Sequence, residues 1–347
     1  MQRFALPIFH ALAFALFVSP SLVGCNGKTK HESATDRPPP IASSAPRDPA
    51  CVKHADGEAF CDGKVVRECA SGTPKTLAAC GSLEQCDPAS RKCVPACPKG
   101  EVFIPATGPQ GFTMGRGEMK ERDTPHTVVL TKPFCMDETE VTAGAFAECI
   151  EAGKCEEPYK WDPWASYPRF PNRPVNLVSQ VKATAYCAWK GKRLPTEAQW
   201  EWAATGGEKI EWPWGNEEPT CQNDLLDFTP FGAPKSAPGG DVGCRGGGPS
   251  DVKSFVKGAK VWPSGKLYDM AGNVWEWTRD MAIPYPKDKQ VDPEITEIPG
   301  KPDNTVYSIR GGGWNRSSIG CKVWFRGEAT RNYQVPGLGF RCIREPE

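Results

Sequence analysis

The chain has 347 residues, enough for one large domain with a small companion or for two domains. Its 42 basic and 42 acidic residues cancel, which argues against nucleic acid and anionic membrane surfaces as partners. Gly and Pro number 35 each and favour a loop-rich architecture, while sixteen cysteines point to an oxidising compartment.

The N-terminus has the pattern of a secretory signal peptide. After Arg3, residues 4–23 are almost wholly apolar, and the run closes as Leu-Val-Gly-Cys at Cys25, which resembles a bacterial lipobox. We therefore predict a lipoprotein signal peptide over 1–25, with Cys25 lipidated and the membrane reached only through that lipid. Asn26 follows, and the absence of Asp there favours the outer membrane. An ordinary signal peptide or a short membrane anchor is the alternative.

Two segments precede the main domain. Residues 26–50 are polar and rich in Pro and Ser, so they cannot bury enough apolar surface to fold, and we expect a disordered tether. Residues 51–96 are predicted to form a small Cys-rich domain, since so short a unit needs cross-links. Its six cysteines from Cys51 to Cys93 predict three disulfides in one of fifteen connectivities. We favour a spacer role over partner binding.

Residues 97–347 are predicted to form one irregular α+β domain with few helices, short strands and long loops. We expect 101–106 and 111–116 to pair as strands, and 126–137 to continue as a strand. Later strands are predicted at 307–314, 323–326 and 339–343.

Three N-cap signals predict three helices. Thr142 caps a helix that stops near Gly153, and Ser179 caps a second that ends at Gly191. Thr196-Glu-Ala-Gln is a capping box that opens a third helix over 198–205.

The stretch 267–280 concentrates aromatic and acidic side chains. Trp275 and Trp277 alternate with their neighbours, which predicts a strand entered through a tight loop. Glu276 lies between them and needs a partner, because a carboxylate beside an apolar core is costly unless it is paired or metal-bound.

The same stretch offers ligands for a hard cation. Ca²⁺ favours a mix of carboxylates and backbone carbonyls. Such a set is available in Asp269, Gly272, Val274 and Glu276, the two middle residues contributing carbonyl oxygens. The other interpretation is a tight turn whose Asp and Asn side chains bond their own backbone.

Nine motifs follow one another along this domain, at 105–115, 137–142, 174–178, 185–189, 191–203, 214–216, 268–277, 310–312 and 339–342. Together they closely resemble the formylglycine-generating enzyme (sulfatase-modifying factor) family. The resemblance implies that family's variant of the C-type lectin fold, with little regular secondary structure. It also implies structural Ca²⁺ at Asp269, Gly272, Val274 and Glu276. A second family Ca²⁺ site falls near Asn223, in a loop too different for its ligands to be carried over.

The resemblance does not settle the activity. The family's enzymes oxidise a cysteine of a client sulfatase to formylglycine with O₂, and hold a copper ion through two cysteines five residues apart. The matching positions here are Arg316 and Cys321. A guanidinium cannot ligate Cu(I), which prefers two thiolates, so we do not expect copper. A sister branch holds iron through three histidines, and only His126 lies in this domain, which excludes that chemistry.

The cysteines suggest a pairing scheme. The resemblance implies a disulfide between Cys187 and Cys342. The sequence itself suggests Cys149 with Cys155, Cys221 with Cys244, and Cys97 with Cys135. This scheme leaves Cys321 unpaired, whereas a rival scheme joins Cys135 to Cys321 and leaves Cys97 free.

Three functional hypotheses follow. The first is a non-catalytic, surface-anchored binding or scaffold protein whose groove binds an envelope protein, a peptide or a glycan. The predicted groove residues are Trp314, Asn315, Arg316, Arg326 and Arg331. The second is an O₂-dependent oxidase that acts on a thiol through Cys321, which requires an exposed thiolate of low pKa. The third is a structural envelope spacer.

Overall fold

The computed structural model describes residues 47–81, 83–87, 90–228, 244, 246–296 and 305–346. Arg47–Glu347 form one compact unit. The predicted signal peptide, Cys25 and most of the predicted tether lie outside the described residues. Within the described ranges, no helix combines the length and apolar character needed to cross a membrane.

The Cys-rich segment is built from short strands and disulfides. Its strands are β1 (Ala59–Asp62), β2 (Val65–Ala70), β3 (Thr73–Ala79), β4 (Glu84–Asp87) and β5 (Lys92–Pro95). The first three form one antiparallel sheet and the last two a separate antiparallel pair. Three disulfides join Cys51 to Cys69, Cys61 to Cys86 and Cys80 to Cys93. The bond from β1 to β4 links the two sheets, so cross-links hold a segment with few buried apolar side chains.

The remainder is an irregular α+β arrangement, as predicted. Its strands are β6 (Glu101–Ile104), β7 (Phe112–Met114), β8 (His126–Val129), β9 (Phe134–Asp137), β10 (Lys260–Trp262), β11 (Gly265–Leu267), β12 (Trp275–Met281), β13 (Gln290–Val291), β14 (Val306–Arg310), β15 (Gly327–Thr330), β16 (Leu338–Gly339) and β17 (Ile343–Arg344). Its α-helices are α1 (Ala143–Glu151), α2 (Gln180–Trp189) and α3 (Glu197–Thr205). Short 3₁₀ turns lie at Pro49–Cys51, Lys120–Asp123, Val256–Gly258 and Ser318–Cys321.

The pairing of two early strands differs from our prediction. β6 and β7 do not pair with each other, because the predicted strand 126–137 is divided into β8 and β9. β7 pairs with β8 and β6 pairs with β9, in two separate three-stranded sheets ordered β13-β8-β7 and β17-β9-β6. Short alternating segments show which face is buried but do not specify the neighbouring strand.

The predicted strand at 323–326 is also wrong, since residues 323–324 form a turn and residues 325–326 have no regular secondary structure. Side-chain and backbone contacts to Glu211 hold the turn instead of a sheet partner. The Val323 amide donates to the Glu211 carbonyl at 2.9 Å, and the Trp324 indole donates to the Glu211 carboxylate at 3.0 Å. The strand begins only at Gly327.

All three helices begin at the predicted caps. The hydroxyls of Thr142 and Ser179 accept the amides of Ala145 and Lys182. At α3 the capping box is complete, because the Thr196 hydroxyl accepts the Gln199 amide at 3.1 Å and the Gln199 side chain accepts the Thr196 amide at 3.0 Å. These caps fix where α3 enters the core.

β12 lies at the centre of the four-stranded sheet β15-β14-β12-β16. It is antiparallel to β14 and parallel to β16. Six of its seven residues are buried, so both of its faces meet core rather than solvent. The Trp277 ring is fully buried and its indole donates to the Val178 carbonyl at 2.9 Å, which satisfies its polar atom.

Four disulfides cross-link this part of the chain. They join Cys97 to Cys135, Cys149 to Cys155, Cys187 to Cys342, and Cys221 to Cys244. The rival pairing of Cys135 with Cys321 is therefore wrong. Among the described cysteines, Cys321 alone is free.

Candidate functional site

The loop after β14 contains Arg316 and Cys321, the two positions that the family resemblance aligns with copper ligands. Gly311 and Gly312 have φ values of 89° and 74°, and they turn the chain over Cys321. A Cβ added to Gly312 would lie 2.5 Å from the Cys321 sulfur and 2.7 Å from its Cα, so only glycine fits at this crossing. The loop is thus closed tightly over the thiol.

Cys321 is fully buried rather than exposed. It packs in a small apolar cluster with Trp212, Leu226, Phe228 and Ala271. Burial raises the pKa of its thiol to about 12. The oxidase hypothesis requires an exposed thiolate of low pKa, and this environment favours the neutral thiol.

Arg316 lies near Cys321, close enough for its charge to act on the thiol. The Arg316 side chain is exposed, and its Cβ lies 3.5 Å from the position that a Cβ on Gly320 would occupy. The Arg316 charge lowers the pKa of Cys321, but this effect is smaller than that of burial. The structure therefore brings the two matching positions together with a guanidinium in place of the first thiol.

The predicted five-residue groove does not form. Trp314 is only 2% exposed, and its ring packs edge-on against Trp164 with centroids 5.5 Å apart. Asn315 is half-buried against Gly337, whereas Arg331 is exposed. Trp314 was predicted to contact a ligand, but its side chain packs in the core instead.

Arg326 is a buried structural residue and not a groove residue. Its Nε and Nη2 donate to the two carboxylate oxygens of Glu197 at 2.6 and 2.7 Å, and its guanidinium stacks 3.9 Å from the Tyr285 ring centroid. Arg310 also donates to Glu197, at 3.0 Å, and to Glu201. Two arginines and two glutamates therefore form a network of balanced charge, to which α3 contributes both glutamates. The spacing of Glu197 and Glu201 puts them on one helix face but does not show that arginines pair with them.

The loop 269–274 has the tight geometry predicted for it. Asp269 and Asn273 both adopt φ of 57°, and Gly272 has φ of 77°. A Cβ on Gly272 would lie 2.3 Å from the Asp227 carbonyl oxygen, which requires glycine. One Asp269 carboxylate oxygen accepts the Lys253 amide at 2.8 Å.

The Glu276 carboxylate is paired with Arg341 and Trp200. Its carboxylate accepts Nε and Nη2 of Arg341 at 2.7 to 2.9 Å and the Trp200 indole at 2.7 Å. Glu276 and Arg341 are both fully buried. The charge that looked costly in the sequence is paired and hydrogen-bonded.

Glu140 is a buried carboxylate that the sequence did not identify as a candidate site residue. Neither of its carboxylate oxygens has a hydrogen-bond partner in another residue of the described chain. Burial, followed by the charges of Asp269 and Glu276, raises its pKa. Glu140 lies within the 137–142 motif, but the motif does not show that Glu140 interacts with Asp269 and Glu276.

Glu140 is a buried carboxylate without a hydrogen-bond partner, so a cation bound nearby would stabilise its charged form. Burial and neighbouring carboxylates raise the pKa of both Glu140 and Asp269, and Arg341 is the guanidinium that lowers the pKa of both. Side chains alone do not complete a metal site, because the described residues contain no cluster of three or more His, Cys, Asp or Glu arranged to hold an ion. A cation here needs the carbonyl oxygens of Gly272 and Val274 as well.

Asn223, near the family's second Ca²⁺ site, uses its side chain in local hydrogen bonds. The Asn223 amide group donates to the Glu217 side chain at 3.2 Å and the Glu218 carbonyl at 3.1 Å, and its oxygen accepts the Thr220 amide at 2.9 Å. Asn223 thus closes a local turn.

The fold and the 310–321 loop define a class: an irregular α+β domain of the formylglycine-generating-enzyme type, preceded by a disulfide-rich segment. PvdO from Pseudomonas aeruginosa has the same fold, with a TM-score of 0.51 at 24% identity, covering 72% of this chain and 95% of that chain. Residues 90–346 match the sulfatase-modifying factor enzyme 1-like domain, and the chain belongs to that family.

Curated relatives carry different functional names. The chain is 29% identical over 310 residues to the formylglycine-generating enzyme of Streptomyces coelicolor, covering 75% of this chain and 93% of that protein. It is 35% identical over 176 residues to the inactive C-alpha-formylglycine-generating enzyme 2 of Bos taurus, covering 49% of each. The chain thus spans about half the length of the bovine relative, and membership alone does not assign an activity.

Proposed function

We propose that this chain is an exported, lipid-anchored binding protein that uses a formylglycine-generating-enzyme-like domain without copper oxidase chemistry. The observation that carries the proposal is the pair Arg316 and Cys321. A Cu(I) site of the family type needs two thiolates, and this pair supplies one guanidinium and one buried thiol. Seven disulfides among the described cysteines agree with an oxidising compartment.

The anchor and location are part of the proposal. The apolar run ending at Cys25 supports lipidation, and Asn26 supports retention at the outer membrane. The partner is an envelope component, either a protein, a peptide or a glycan.

The proposal includes a structural Ca²⁺ ion. Asp269 and Glu276 would hold it with the carbonyl oxygens of Gly272 and Val274, and Glu140 would supply the remaining negative charge. Such an ion balances carboxylates within the core and stabilises the fold; it performs no reaction.

Thiol labelling of the folded protein tests the non-catalytic proposal. The purified chain is treated with iodoacetamide at pH 8, first folded and then unfolded without reductant, and the label is mapped by mass spectrometry. We expect Cys321 to be labelled only after unfolding, because its pKa is about 12 and it is buried. Rapid labelling of Cys321 in the folded chain would favour the alternative oxidase acting through that thiol.

A further inference from the structure

One surface cleft combines exposed aromatic rings with hydrogen-bonding side chains. The cleft, here called the Trp161 cleft, has a volume of about 240 Å³ and is lined by Glu157, Pro158, Tyr159, Lys160, Trp161, Lys182 and Gln334. All twelve tryptophans lie in the described part of the chain, and Trp161 is 78% exposed whereas the other eleven are buried or half-buried. Tyr159, two residues earlier, is 51% exposed.

The cleft is built by hydrogen bonds that fix its walls. The Tyr159 amide donates to the Leu177 carbonyl at 3.1 Å, which anchors the irregular segment to the domain. The Lys182 ammonium donates to the Glu157 carbonyl at 2.6 Å and to the Gln334 side chain at 3.4 Å, so it joins the two sides. The aromatic rings are therefore presented on a backbone that is already ordered, which lowers the entropy cost of binding.

The polar groups of the cleft offer both donors and acceptors. The Glu157 carboxylate is paired with Lys160 at 2.5 Å and accepts the Tyr167 hydroxyl at 3.2 Å. Lys182 adds one positive charge, and Gln334 contributes its amide NH₂ group as a donor, since its oxygen accepts from Lys182. The site thus combines an apolar aromatic face with a polar rim of low net charge.

This combination suits a sugar ring. A pyranose presents a face of C–H groups, which packs on the electron-rich face of an indole, and an edge of hydroxyls, which pair with carboxylate, amide and ammonium groups. The volume of about 240 Å³ lies below the range of about 300–1,000 Å³ typical of drug-sized ligand sites, so it accommodates one ring of a chain that continues into solvent.

A peptide is less well suited to the cleft. Extended peptides commonly add to an exposed strand edge, and helical peptides need an apolar groove of several turns. Residues 155–161 contain neither strand nor helix, so the cleft has no edge for strand addition.

We infer that the Trp161 cleft is an oligosaccharide-binding site, with one sugar ring stacked on Trp161 and its hydroxyls bonded to Glu157, Lys160 and Gln334. The inference rests on the proposed binding function and names its ligand class. It places the ligand on the segment 157–161 rather than on the five residues that the sequence suggested.

Fluorescence titration tests the inference. The purified chain is titrated with cellohexaose, chitohexaose and a hexamer of galacturonic acid, which present neutral, N-acetylated and acidic rings. We expect saturable quenching of tryptophan fluorescence by at least one of them. Trp161→Ala should weaken that binding by about tenfold or more, whereas Trp161→Phe should retain part of it because a ring is kept.

Leu77→Ala is the matched control, since Leu77 is 50% exposed but does not line the cleft, and it should bind like the unmodified chain. No saturable binding of any hexamer, or binding that Trp161→Ala leaves intact, would overturn the inference. A pooled heptapeptide library retained through Trp161 would assign the cleft to peptides and overturn it as well. None of these results alters the labelling of Cys321, so a failure here is distinct from a failure of the non-catalytic proposal.

Discussion

The Arg341 guanidinium holds the Glu276 carboxylate by contacts of 2.7 to 2.9 Å, with both side chains fully buried. Glu276 comes from β12 and Arg341 follows β16, and the two strands are parallel neighbours. The ion pair therefore connects two family motifs that are 65 residues apart in the sequence.

Breaking this pair should be costly. We expect Arg341→Met to lower the free energy of unfolding by roughly 3–5 kcal/mol, because it leaves a buried carboxylate without its main partner. Chemical denaturation measures the effect. Arg122→Met, which breaks the pair with Glu328 at about 40% exposure, should change the free energy by about 1 kcal/mol or less. Equal losses for the two variants would contradict the account.

The Ca²⁺ proposal predicts a metal-dependent melting temperature. Millimolar Ca²⁺ should raise Tm relative to EDTA, since a ligand at about 100 times its Kd stabilises by roughly 2.7 kcal/mol. Asp269→Asn and Glu140→Gln should each diminish the shift, because they remove negative charge from the cluster. Glu148→Gln serves as the control, as Glu148 pairs with Lys190 and its side chain is 65% exposed. An identical Tm in Ca²⁺ and EDTA, with no calcium in elemental analysis, would refute the site.

Glu197 should make the fold sensitive to acid. Burial acts to raise its pKa, but Arg326 and Arg310 hold the pKa down at about 2, against an ordinary value of 4.5. A carboxylate with a lowered folded-state pKa contributes stability that is present above about pH 4.5 and lost as the pH falls towards 2. The difference corresponds to roughly 3 kcal/mol.

Unfolding free energies measured from pH 7 to pH 2 check this prediction. Glu197→Gln should be less stable at pH 7 and show a shallower decline in acid. Glu328→Gln, whose side chain is 45% exposed, should follow the unmodified chain. A decline as steep in Glu197→Gln as in the unmodified chain would rule out Glu197 as the source.

The disulfides that close the longest and the shortest loops should contribute differently to the free energy of unfolding. Cys187–Cys342 closes 155 residues and Cys149–Cys155 closes 6. On loop entropy, replacing both cysteines by alanine should cost about 5 kcal/mol for the first pair and about 2 kcal/mol for the second. Denaturation curves of the two double variants test the order, and a larger loss for the short loop would contradict it.

The sequence predicted those parts of the fold that depend on local chemistry. The caps at Thr142, Ser179 and Thr196 use side chains that bond their own backbone, and a motif of four residues contains that information. The pairing of β6 with β9 and the turn at 323–324 depend on contacts with distant segments, which short patterns do not encode.

The candidate site, too, could be predicted only in part from the sequence. The need of Glu276 for a partner was visible in the sequence, but Arg341 and the orphaned Glu140 became apparent only in three dimensions. Trp314 was predicted to line a binding groove, yet it is buried against Trp164. The exposed tryptophan is Trp161, in a segment without a motif.

Cu(I) binding tests the central claim most directly. The unmodified chain and Cys321→Ser are titrated with Cu(I) in ascorbate against a colorimetric chelator, with Arg316→Cys as the variant that supplies the second thiol. We predict that the unmodified chain takes no Cu(I) from the chelator, because Arg316 cannot act as a ligand and Cys321 alone provides one soft donor. One equivalent of Cu(I) bound by the unmodified chain, and lost in Cys321→Ser, would contradict the account.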